Sequence, residues 1–349
     1  MGVIRCSAPG RCAIIGNPTD MYGGSVISCS LPYRARVTVS PSERLEVEAE
    51  GEHVTIGCRD ELALNGDSFD VARAVLDYFR DELPCCRISY TTDVPVRAGV
   101  AGSTALTVAI LYGLLRYHGM NYHPYRVAEL ARYIELNHLR VVCGYQYAYM
   151  CTFGGLNYMD FRGKQFYREA SEELYATVER LDPYVPKLPF VLVHTGVVHS
   201  SDAVHKPLRE RWLEGDREVR QAYEEIGVLA REGKKALLAA DWPRLGRLMN
   251  ENHAIQRDLG GSGPANEELI AIALDYGALG AKLAGAGGGG TIIALHPEPE
   301  AMIAAMRAAG HGQNEVHLRM IFRPVPSAGV CLDVDEGAAE ETTRIEARR

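Results

Sequence analysis

Residues 97–113 read RAGVAGSTALTVAILYG, a glycine-containing loop that supplies two hydroxyl groups and then runs into an apolar segment. Gly99 and Gly102 allow the backbone to approach a ligand closely. Ser103 and Thr104 stand where a helix N-cap is expected, so the free amides of the first turn would face outward at the positive end of the helix dipole. Such an end binds phosphate. The same pattern is also typical of an ordinary capped loop before a core helix, so this segment alone leaves both interpretations open.

The composition excludes several classes of protein. The 349 residues suffice for two closely packed domains or one large one, and so for a buried pocket. Because 37 Lys and Arg stand against 45 Asp and Glu, the net charge is −8, and without a long basic run nucleic acid is not an expected partner. No apolar stretch reaches the length of a membrane span. These observations favour a protein whose partner is a small molecule, with no nucleic acid and no membrane.

The N-terminus and the cysteines bear on location. The start MGVIRC has neither the basic nor the apolar region of a signal peptide. Nine scattered cysteines, without a CxxC pair, fit neither a zinc site nor a disulfide framework. We expect a soluble, cytoplasmic protein with reduced cysteines, present as a monomer or a homodimer.

Hydrophobic periodicity divides the chain into strand-rich and helix-rich parts. It predicts strands within 11–57 and at 87–94, a helix at 68–82, and mainly helices from the glycine loop to about residue 138. After prolines at 183, 186 and 189 it predicts a strand at 190–195, helices at 217–237, 241–258 and 265–278, and a strand at 291–295. This order favours an α+β fold over a doubly wound parallel sheet. We expect domains at 1–183 and 184–335, followed by a charged tail at 336–349.

A second glycine cluster, Gly285-Ala286-Gly287-Gly-Gly-Gly290, satisfies the GxGxxG string. A dinucleotide-binding loop needs a strand before the glycines and a helix after them, whereas here a helix precedes them and a strand follows. A Walker A sequence is absent as well. Consecutive glycines carry an entropic cost, which favours a backbone that passes close to a ligand over a merely permissive connector.

A third segment, SAPGRCAIIGNPTDMYGG at residues 7–24, identifies the family that the chain resembles. Together with the segments at 95–105 and 282–290, it resembles the three ordered motifs of the GHMP small-molecule kinases, the superfamily of galactokinase and of homoserine, mevalonate and phosphomevalonate kinases. The glucuronokinase-like branch is the most similar, since Gly16-Asn-Pro-Thr-Asp20 is like that branch's Gly-Asn-Pro-Ser-Asp. Further agreements lie at 153–161, 209–215 and 248–252. The resemblance implies an N-terminal domain like ribosomal protein S5 domain 2 and a ferredoxin-like α+β C-terminal domain.

On the nucleotide side, the resemblance implies ATP and Mg²⁺ as cofactors. The loop around the triphosphate would comprise Arg97, Gly99, Val100, Ala101, Gly102, Ser103, Thr104 and Ala105. Ser103 or Thr104 would offer a hydroxyl to Mg²⁺, and Glu135 stands where the superfamily places its metal carboxylate. Hard oxygen ligands suit magnesium. The alternative for Glu135 is a solvated charge on a helix face.

On the acceptor side, the resemblance implies that Asp20 accepts hydrogen bonds from substrate hydroxyls, a role that suits a carboxylate. An Asx turn is the alternative. Arg11 would stabilise a catalytic carboxylate or the transferring phosphoryl group, unless it forms only a surface ion pair. Lys282 is either a phosphate contact or a solvated helix end. The candidate substrate-binding residues are Asn17, Asp20, Tyr22, Gly144, Gln146, Arg209, Gly285, Ala286 and Gly287.

Cationic and other polar side chains of the second domain would suit an acidic or phosphorylated acceptor. The candidates are His194, Ser200, His205, Arg209 and Arg211, with Asn252 and His253 weaker. A charged helix face is the alternative interpretation.

One position departs from the family pattern. The usual catalytic aspartate follows Gly-Leu-Gln, but here Gly144-Tyr-Gln is followed by Tyr147. A tyrosine with its ordinary pKa near 10 is a poor base at neutral pH. Three explanations are open: a loose transition state needs no strong base, Tyr147 reshapes the acceptor pocket, or the protein binds ligand without turnover. Arg11 and Tyr147 are the catalytic candidates.

We therefore expect ATP- and Mg²⁺-dependent phosphorylation of a hydroxyl of a sugar, a uronic acid or a related polyol or hydroxy acid. Two alternatives are a pseudokinase that binds nucleotide or sugar, and an ATP-dependent decarboxylase of the same superfamily.

Overall fold

The computed structural model describes residues 2–81, 85–95, 98–164, 174–197, 201–285, 287–308 and 321–335, with the backbone alone at 201–205 and 335. Its strands are β1 (Ile4–Ile15), β2 (Ser25–Pro41), β3 (Leu45–Ala49), β4 (Glu52–Ile56), β5 (Cys86–Thr92), β6 (Leu156–Asp160), β7 (Thr177–Arg180), β8 (Phe190–His194), β9 (Gly280–Leu283), β10 (Thr291–Leu295), β11 (Ile321–Phe322) and β12 (Cys331–Asp335). Its helices are α1 (Asp70–Tyr78), α2 (Gly102–Tyr117), α3 (Pro124–Asn137), α4 (Tyr145–Phe153), α5 (Ser201–Leu213), α6 (Arg217–Leu238), α7 (Trp242–Asp258), α8 (Pro264–Asp275) and α9 (Pro299–Ala308).

Two sheets organise these elements. The larger has the order β12-β1-β2-β5-β3-β4, and β6 pairs with the first part of β2 and with β7. The smaller has the order β11-β8-β10-β9. All pairings of described strands are antiparallel except that of β3 with β5. Mainly antiparallel sheets with helices packed against them form the predicted α+β architecture, which is confirmed.

The core of the larger sheet surrounds α2. This helix is apolar on all sides, and nearly every residue from Gly102 to Tyr117 is buried, as expected for a helix enclosed by other elements. A Cβ atom at Gly113 would lie 3.2 Å from Cys6 Sγ on β1, so the glycine allows helix and sheet to pack closely. This packing holds the C-terminal half of α2 against the first residues of β1.

The smaller sheet has a separate core. Val191, Ile292, Ile270 and Met302 pack together, which joins β8 and β10 to α8 and α9. Helix α7 packs against β9, where the Cβ of a side chain at Gly246 would lie 2.4 Å from the carbonyl oxygen of Leu279. This contact fixes β9 immediately before the second glycine cluster.

Several local expectations change in the structure. Within 11–57, where several strands are expected, residues 25–41 form the single long strand β2, and the helix expected at 68–82 is shorter. The last strand, β12, pairs with β1 in the larger sheet, an arrangement that no local pattern predicted. The proposed boundary near residue 184 stays a prediction, and the tail at 336–349 lies outside the described residues.

Two further findings concern membrane-spanning helices and the cysteines. Among the described helices, none has both the length and the apolar character needed to cross a membrane. All nine cysteines are unpaired and six are buried.

Candidate active site

The middle of β1 joins the three sequence motifs. The amide of Arg11 donates a hydrogen bond to the carbonyl oxygen of Val100 at 3.0 Å, and the amide of Ala13 donates to that of Ala284 at the same distance. The first motif therefore lies between the loop that precedes α2 and the loop that follows β9. A Cβ atom at Gly285 would lie only 2.6 Å from the carbonyl oxygen of Gly99, so the two glycine loops touch.

The loop before α2 ends differently from the expected cap. Ala101, with a left-handed φ of 68°, is the N-cap, and α2 begins at Gly102. Ser103 and Thr104 therefore lie inside the first turn, and the expectation that they cap the helix is wrong. The first helical hydrogen bond runs from Ala105 N to Ala101 O at 2.9 Å. The amides of residues 102–104 precede that ladder and are left for another partner, as an anion site requires.

Thr104 and Glu135 meet at the start of α2. The Thr104 hydroxyl donates to Glu135, with Oγ1 at 2.9 Å from Oε1 and 3.1 Å from Oε2. Glu135 is buried, so it is not a solvated helix-face charge, and burial raises the pKa of its carboxyl to about 7. A hydroxyl and a carboxylate form a hard oxygen pair of the kind Mg²⁺ accepts. No group of three or more metal-binding side chains exists in the described ranges, so phosphate oxygens and water would have to complete such a site.

Arg11 is enclosed beneath Tyr147. Its side chain is fully buried, its Nη1 donates to the carbonyl oxygen of Ala284 at 2.7 Å, and its Cζ lies 3.8 Å from the centre of the Tyr147 ring. Within the described residues, Nε and Nη2 form no well-aligned hydrogen bond. The surface ion pair considered for Arg11 is therefore wrong. Burial also raises the pKa of the half-buried Tyr147, so its phenol stays protonated at neutral pH.

Asp20 receives the N-terminus of α4. Its Oδ2 accepts from the amide of Gln146 at 3.0 Å and its Oδ1 from Nε2 of the same residue at 2.9 Å. A Cβ at Gly144 would lie 2.0 Å from Oδ2, so the glycine makes room for the carboxylate. Burial raises the pKa of Asp20, and nearby Arg11 opposes that rise. These contacts are tertiary rather than those of a local Asx turn.

Asn17 connects the first motif to the third. Its Nδ2 donates to the carbonyl oxygen of Gly285 at 2.9 Å, and its Oδ1 accepts from Lys282 Nζ at 2.6 Å. Lys282 lies on β9 and is fully buried, so the solvated helix end considered for it is wrong. The weak candidate Asn252 accepts from the amide of Gly16 at 2.8 Å and thereby positions this loop.

Aromatic side chains pack around Tyr22, near the end of the first motif. Tyr22 stacks on Tyr223 with a centroid distance of 4.5 Å and lies 5.2 Å from Trp212. Arg209 of α5 is half-buried and close enough to Tyr22 to affect its ionisation electrostatically. Trp212 and Tyr223 were not among the candidates, although Trp212 lies in the matched segment at 209–215.

The remaining candidates do not join this cluster as a group. Arg211 pairs with Asp216 at 2.7 Å and with Glu218 at 2.6 Å, so it belongs to a charged helix face. His253 is bonded to Glu267 at 2.9 Å and is structural. His194 is buried at the end of β8. Arg97, Ser200, Ala286 and the side chain of His205 lie outside the described residues.

Family models match three parts of the chain. They describe the GHMP kinases N-terminal domain at residues 70–155, the GHMP kinases C-terminal region at 234–312 and the galactokinase galactose-binding signature at 3–41, and together they cover more than half of it. The chain belongs to the GHMP kinase family. It is therefore a kinase, and each of the three touching motifs lies within one of the matched ranges.

Relatives of this GHMP kinase match it along most of their length. Glucuronokinase 1 of Arabidopsis thaliana is 29% identical over 355 residues, covering 93% of this chain and 92% of the relative. A mevalonate kinase of Thermococcus sibiricus is 27% identical and covers 88% and 93%. The crystal structure of Lactococcus lactis galactokinase complexed with galactose has a TM-score of 0.76 at 18% identity and covers 94% and 95%, which confirms the fold.

The contact between the two glycine loops gives a first prediction for this GHMP kinase. Replacing Gly285 by Ala places a Cβ 2.6 Å from a backbone oxygen, which forces the loops apart. We expect nucleotide affinity to fall at least about tenfold, because the loop before α2 loses its position. Gly57→Ala is the matched control, since its Cβ would approach only the end of the Glu61 side chain at 3.8 Å. Equal nucleotide dissociation constants for both variants and the wild type would contradict the role of this contact.

Proposed function

We propose that this GHMP kinase uses ATP and Mg²⁺ to phosphorylate a hydroxyl of a sugar, a uronic acid or a related polyol. The observation that carries the proposal is the position of Arg11. This buried cation lies between the loop before α2 and the loop after β9, beneath Tyr147 and within electrostatic range of Asp20. Phosphoryl transfer demands mainly positioning and neutralisation of charge, which such an arrangement supplies.

The donor set fits the proposed cofactors. Loop 97–105 and the first amides of α2 would hold the triphosphate, and Thr104, Ser103 and Glu135 would hold the metal. When bound, ATP supplies the phosphoryl group and Mg²⁺ neutralises its charge. Ser103 is half-buried in the same turn as Thr104, so its hydroxyl is the second candidate ligand for the metal.

On the acceptor side, Asp20 would accept a hydrogen bond from a substrate hydroxyl and orient it. Each of its oxygens already accepts one hydrogen bond from Gln146, and a carboxylate oxygen has room for a second. The attacking oxygen forms its bond to the γ-phosphorus as the bond from phosphorus to the β–γ bridging oxygen breaks. Arg11 offers its Nε and Nη2 to the charge on the transferring group.

The proton of the attacking hydroxyl does not pass to Tyr147 in this proposal. A protonated phenol has no basic site of sufficient strength, and burial raises the pKa of this phenol further. The proton moves instead to an oxygen of the transferred phosphoryl group after the new bond has formed, as a loose transition state allows. Tyr147 then acts through its ring, which covers Arg11 and shapes the acceptor pocket.

The assignment to sugars and uronic acids rests on the relatives. Glucuronokinase 1 aligns over 93% of this chain, and the model named for the galactose-binding signature matches residues 3–41, which hold Arg11 and Asp20. The pseudokinase and decarboxylase alternatives have no comparable support, because these relatives are named as kinases.

An ADP-release screen tests the proposal. Sugars, uronic acids, sugar phosphates, inositols and mevalonate are offered with MgATP, and products are weighed by mass spectrometry. We expect one class of acceptor to stimulate ADP release and to yield a product heavier by one phosphoryl group. Nucleotide binding without any stimulated turnover, even in Tyr147→Asp, would support the pseudokinase instead, and loss of carbon dioxide would support the decarboxylase.

The proposed role of Tyr147 leads to a second prediction. Tyr147→Phe keeps the ring over Arg11 and removes the hydroxyl, so we expect kcat to stay within about threefold of the wild type, far below the 10²–10⁴-fold effect of losing a general base. Tyr147→Ala uncovers the guanidinium and is expected to raise KM for the acceptor. A loss of two orders of magnitude in Tyr147→Phe, measured at saturating substrate, would assign the phenol a proton-transfer role and contradict this one.

A further inference from the structure

Lys282 is a buried amine that the proposed reaction does not use. Its whole side chain is buried on β9, and its Nζ donates to Asn17 Oδ1 and to the carbonyl oxygen of Leu283, both at 2.6 Å. Neither acceptor carries a charge. Among the described residues, no carboxylate forms an ion pair with it. A buried ammonium in such surroundings is costly.

A second buried cation lies beside it. Arg11 on β1 donates to the carbonyl oxygen of Ala284, which lies two residues after Lys282 and just beyond the end of β9, and its positive charge acts on the lysine. Asp20 is near enough to interact with Arg11, but both of its oxygens already accept hydrogen bonds from Gln146. An ammonium at Lys282 would therefore add a second buried positive charge beside Arg11, with no ion-paired carboxylate of its own in the described ranges to offset it.

The hydrogen bonds of Lys282 match the neutral form of the amine. A neutral amine has two N–H donors, and two acceptors are present, whereas an ammonium has a third donor. Burial and the nearby Arg11 lower the pKa of Lys282 to about 7.

Two other titratable groups face Lys282, and neither supplies a negative charge at neutral pH. Burial raises the pKa of the Cys12 thiol on β1 to about 12, so it stays protonated. Burial lowers the pKa of His253 on α7, whose ring is bonded to Glu267.

We infer that Lys282 is a neutral amine in the ligand-free protein at mildly alkaline pH and takes up one proton from solvent when an anionic phosphoryl group binds beside Arg11. The inference rests on the proposed function, because it places the phosphoryl group at that guanidinium. The anion offsets the charge of Arg11, which had disfavoured the ammonium, and the ammonium in turn strengthens the hold on the anion. No covalent bond changes. The affinity of the protein for the phosphoryl group should therefore weaken as pH rises above about 7, because the concentration of free protons falls.

Calorimetry in paired buffers tests this proton uptake. MgATP, without acceptor, is titrated into the protein at about pH 8 in two buffers of different ionisation enthalpy, and the difference in heat counts the protons. At that pH the carboxyl of Glu135 is already ionised, since its pKa is about 7. We expect an uptake approaching about one proton per bound MgATP at about pH 8 and a smaller uptake with MgADP, which lacks the γ-phosphoryl group. At about pH 6 we expect no net uptake, because Lys282 is already protonated and Glu135 releases its proton when the metal binds.

Two variants test whether the proton is taken up by the side chain of Lys282. Lys282→Met keeps the length of the buried chain and removes the titratable group, so uptake should vanish while MgATP still binds. Lys235→Met is the matched control, because that lysine is exposed on α6 and should leave the proton count unchanged.

Each outcome decides the inference. MgATP binding with equal heats in both wild-type buffers at about pH 8 would overturn the inference about Lys282 and leave the proposed function standing. This comparison does not depend on whether Lys282→Met folds. Failure of the wild type to bind MgATP, checked by equilibrium dialysis, would overturn both.

Discussion

Replacing Arg11 by Met is expected to lower kcat/KM for the acceptor by about 10²–10³-fold, which is the range for removal of one preorganised donor to a developing charge. Arg11 is fully buried, and its position is fixed by the Ala284 carbonyl on one side and by the Tyr147 ring on the other. Such a cation needs no rearrangement of solvent when charge develops on the transferring group. Met fills a similar volume without a charge.

Steady-state kinetics and a nucleotide-binding measurement check this prediction. The loss should fall mainly on kcat, while the affinity for MgADP changes little, because ADP lacks the group that Arg11 would contact. Arg36→Met is the matched control on β2, since Arg36 is about half exposed and its ion pair among the described residues is with Asp93 at the surface. A variant of Arg11 that keeps its kcat within a few fold would remove the arginine from the chemistry.

The second large effect is expected at Glu135. Glu135→Gln should weaken the apparent affinity for Mg²⁺ by about 10–100-fold, with a matching loss of activity at limiting metal. The amide keeps an oxygen for the Thr104 hydroxyl but no longer carries the charge that attracts the cation. Glu251→Gln on the exposed face of α7 serves as the matched control.

The pH dependence of this effect has a definite sign. The pKa of Glu135 is raised to about 7, so its metal-binding form is lost as pH falls below that value. In the wild type, apparent Mg²⁺ affinity should therefore fall by about tenfold per pH unit below 7, and in Glu135→Gln it should be flat across the same range. Activity titrations with Mg²⁺ at about pH 6, 7 and 8 compare the two slopes. Parallel slopes would show that this carboxyl does not bind the metal.

The thermal stability of Glu135→Gln should rise, although its affinity for Mg²⁺ falls. Because the folded protein raises the pKa of Glu135, its ionised form opposes folding increasingly as pH rises from the ordinary value of 4.5 towards 7. At about pH 8, Glu135→Gln should therefore unfold at a higher temperature than the wild type. A variant that is more stable but less active is a common result at a functional site. It would also show that the loss of activity is not a loss of fold.

Local patterns predicted the elements that carry the site, because helix and strand periodicity depends on neighbouring residues. The helices expected at 217–237 and 241–258 are found at Arg217–Leu238 and Trp242–Asp258. The cap of α2 was misjudged, since a left-handed Ala101 is a backbone choice that a Gly-Ser-Thr string does not reveal. The return of β12 to β1 was missed for a different reason, because strand pairing at long range leaves no periodic signal.

The sequence by itself determined the family, the order of the three motifs and the replacement of the usual aspartate by Tyr147, because these are properties of residue identity and spacing. The tertiary structure alone decided which side chains meet. Asp20 and Gln146 are 126 positions apart, and Asn17 and Lys282 are 265 apart. Burial then changed their chemistry, since the pKa of about 7 for Glu135 and for Lys282 arises from loss of solvent. Solvent exclusion depends on how distant segments pack, which no single motif encodes.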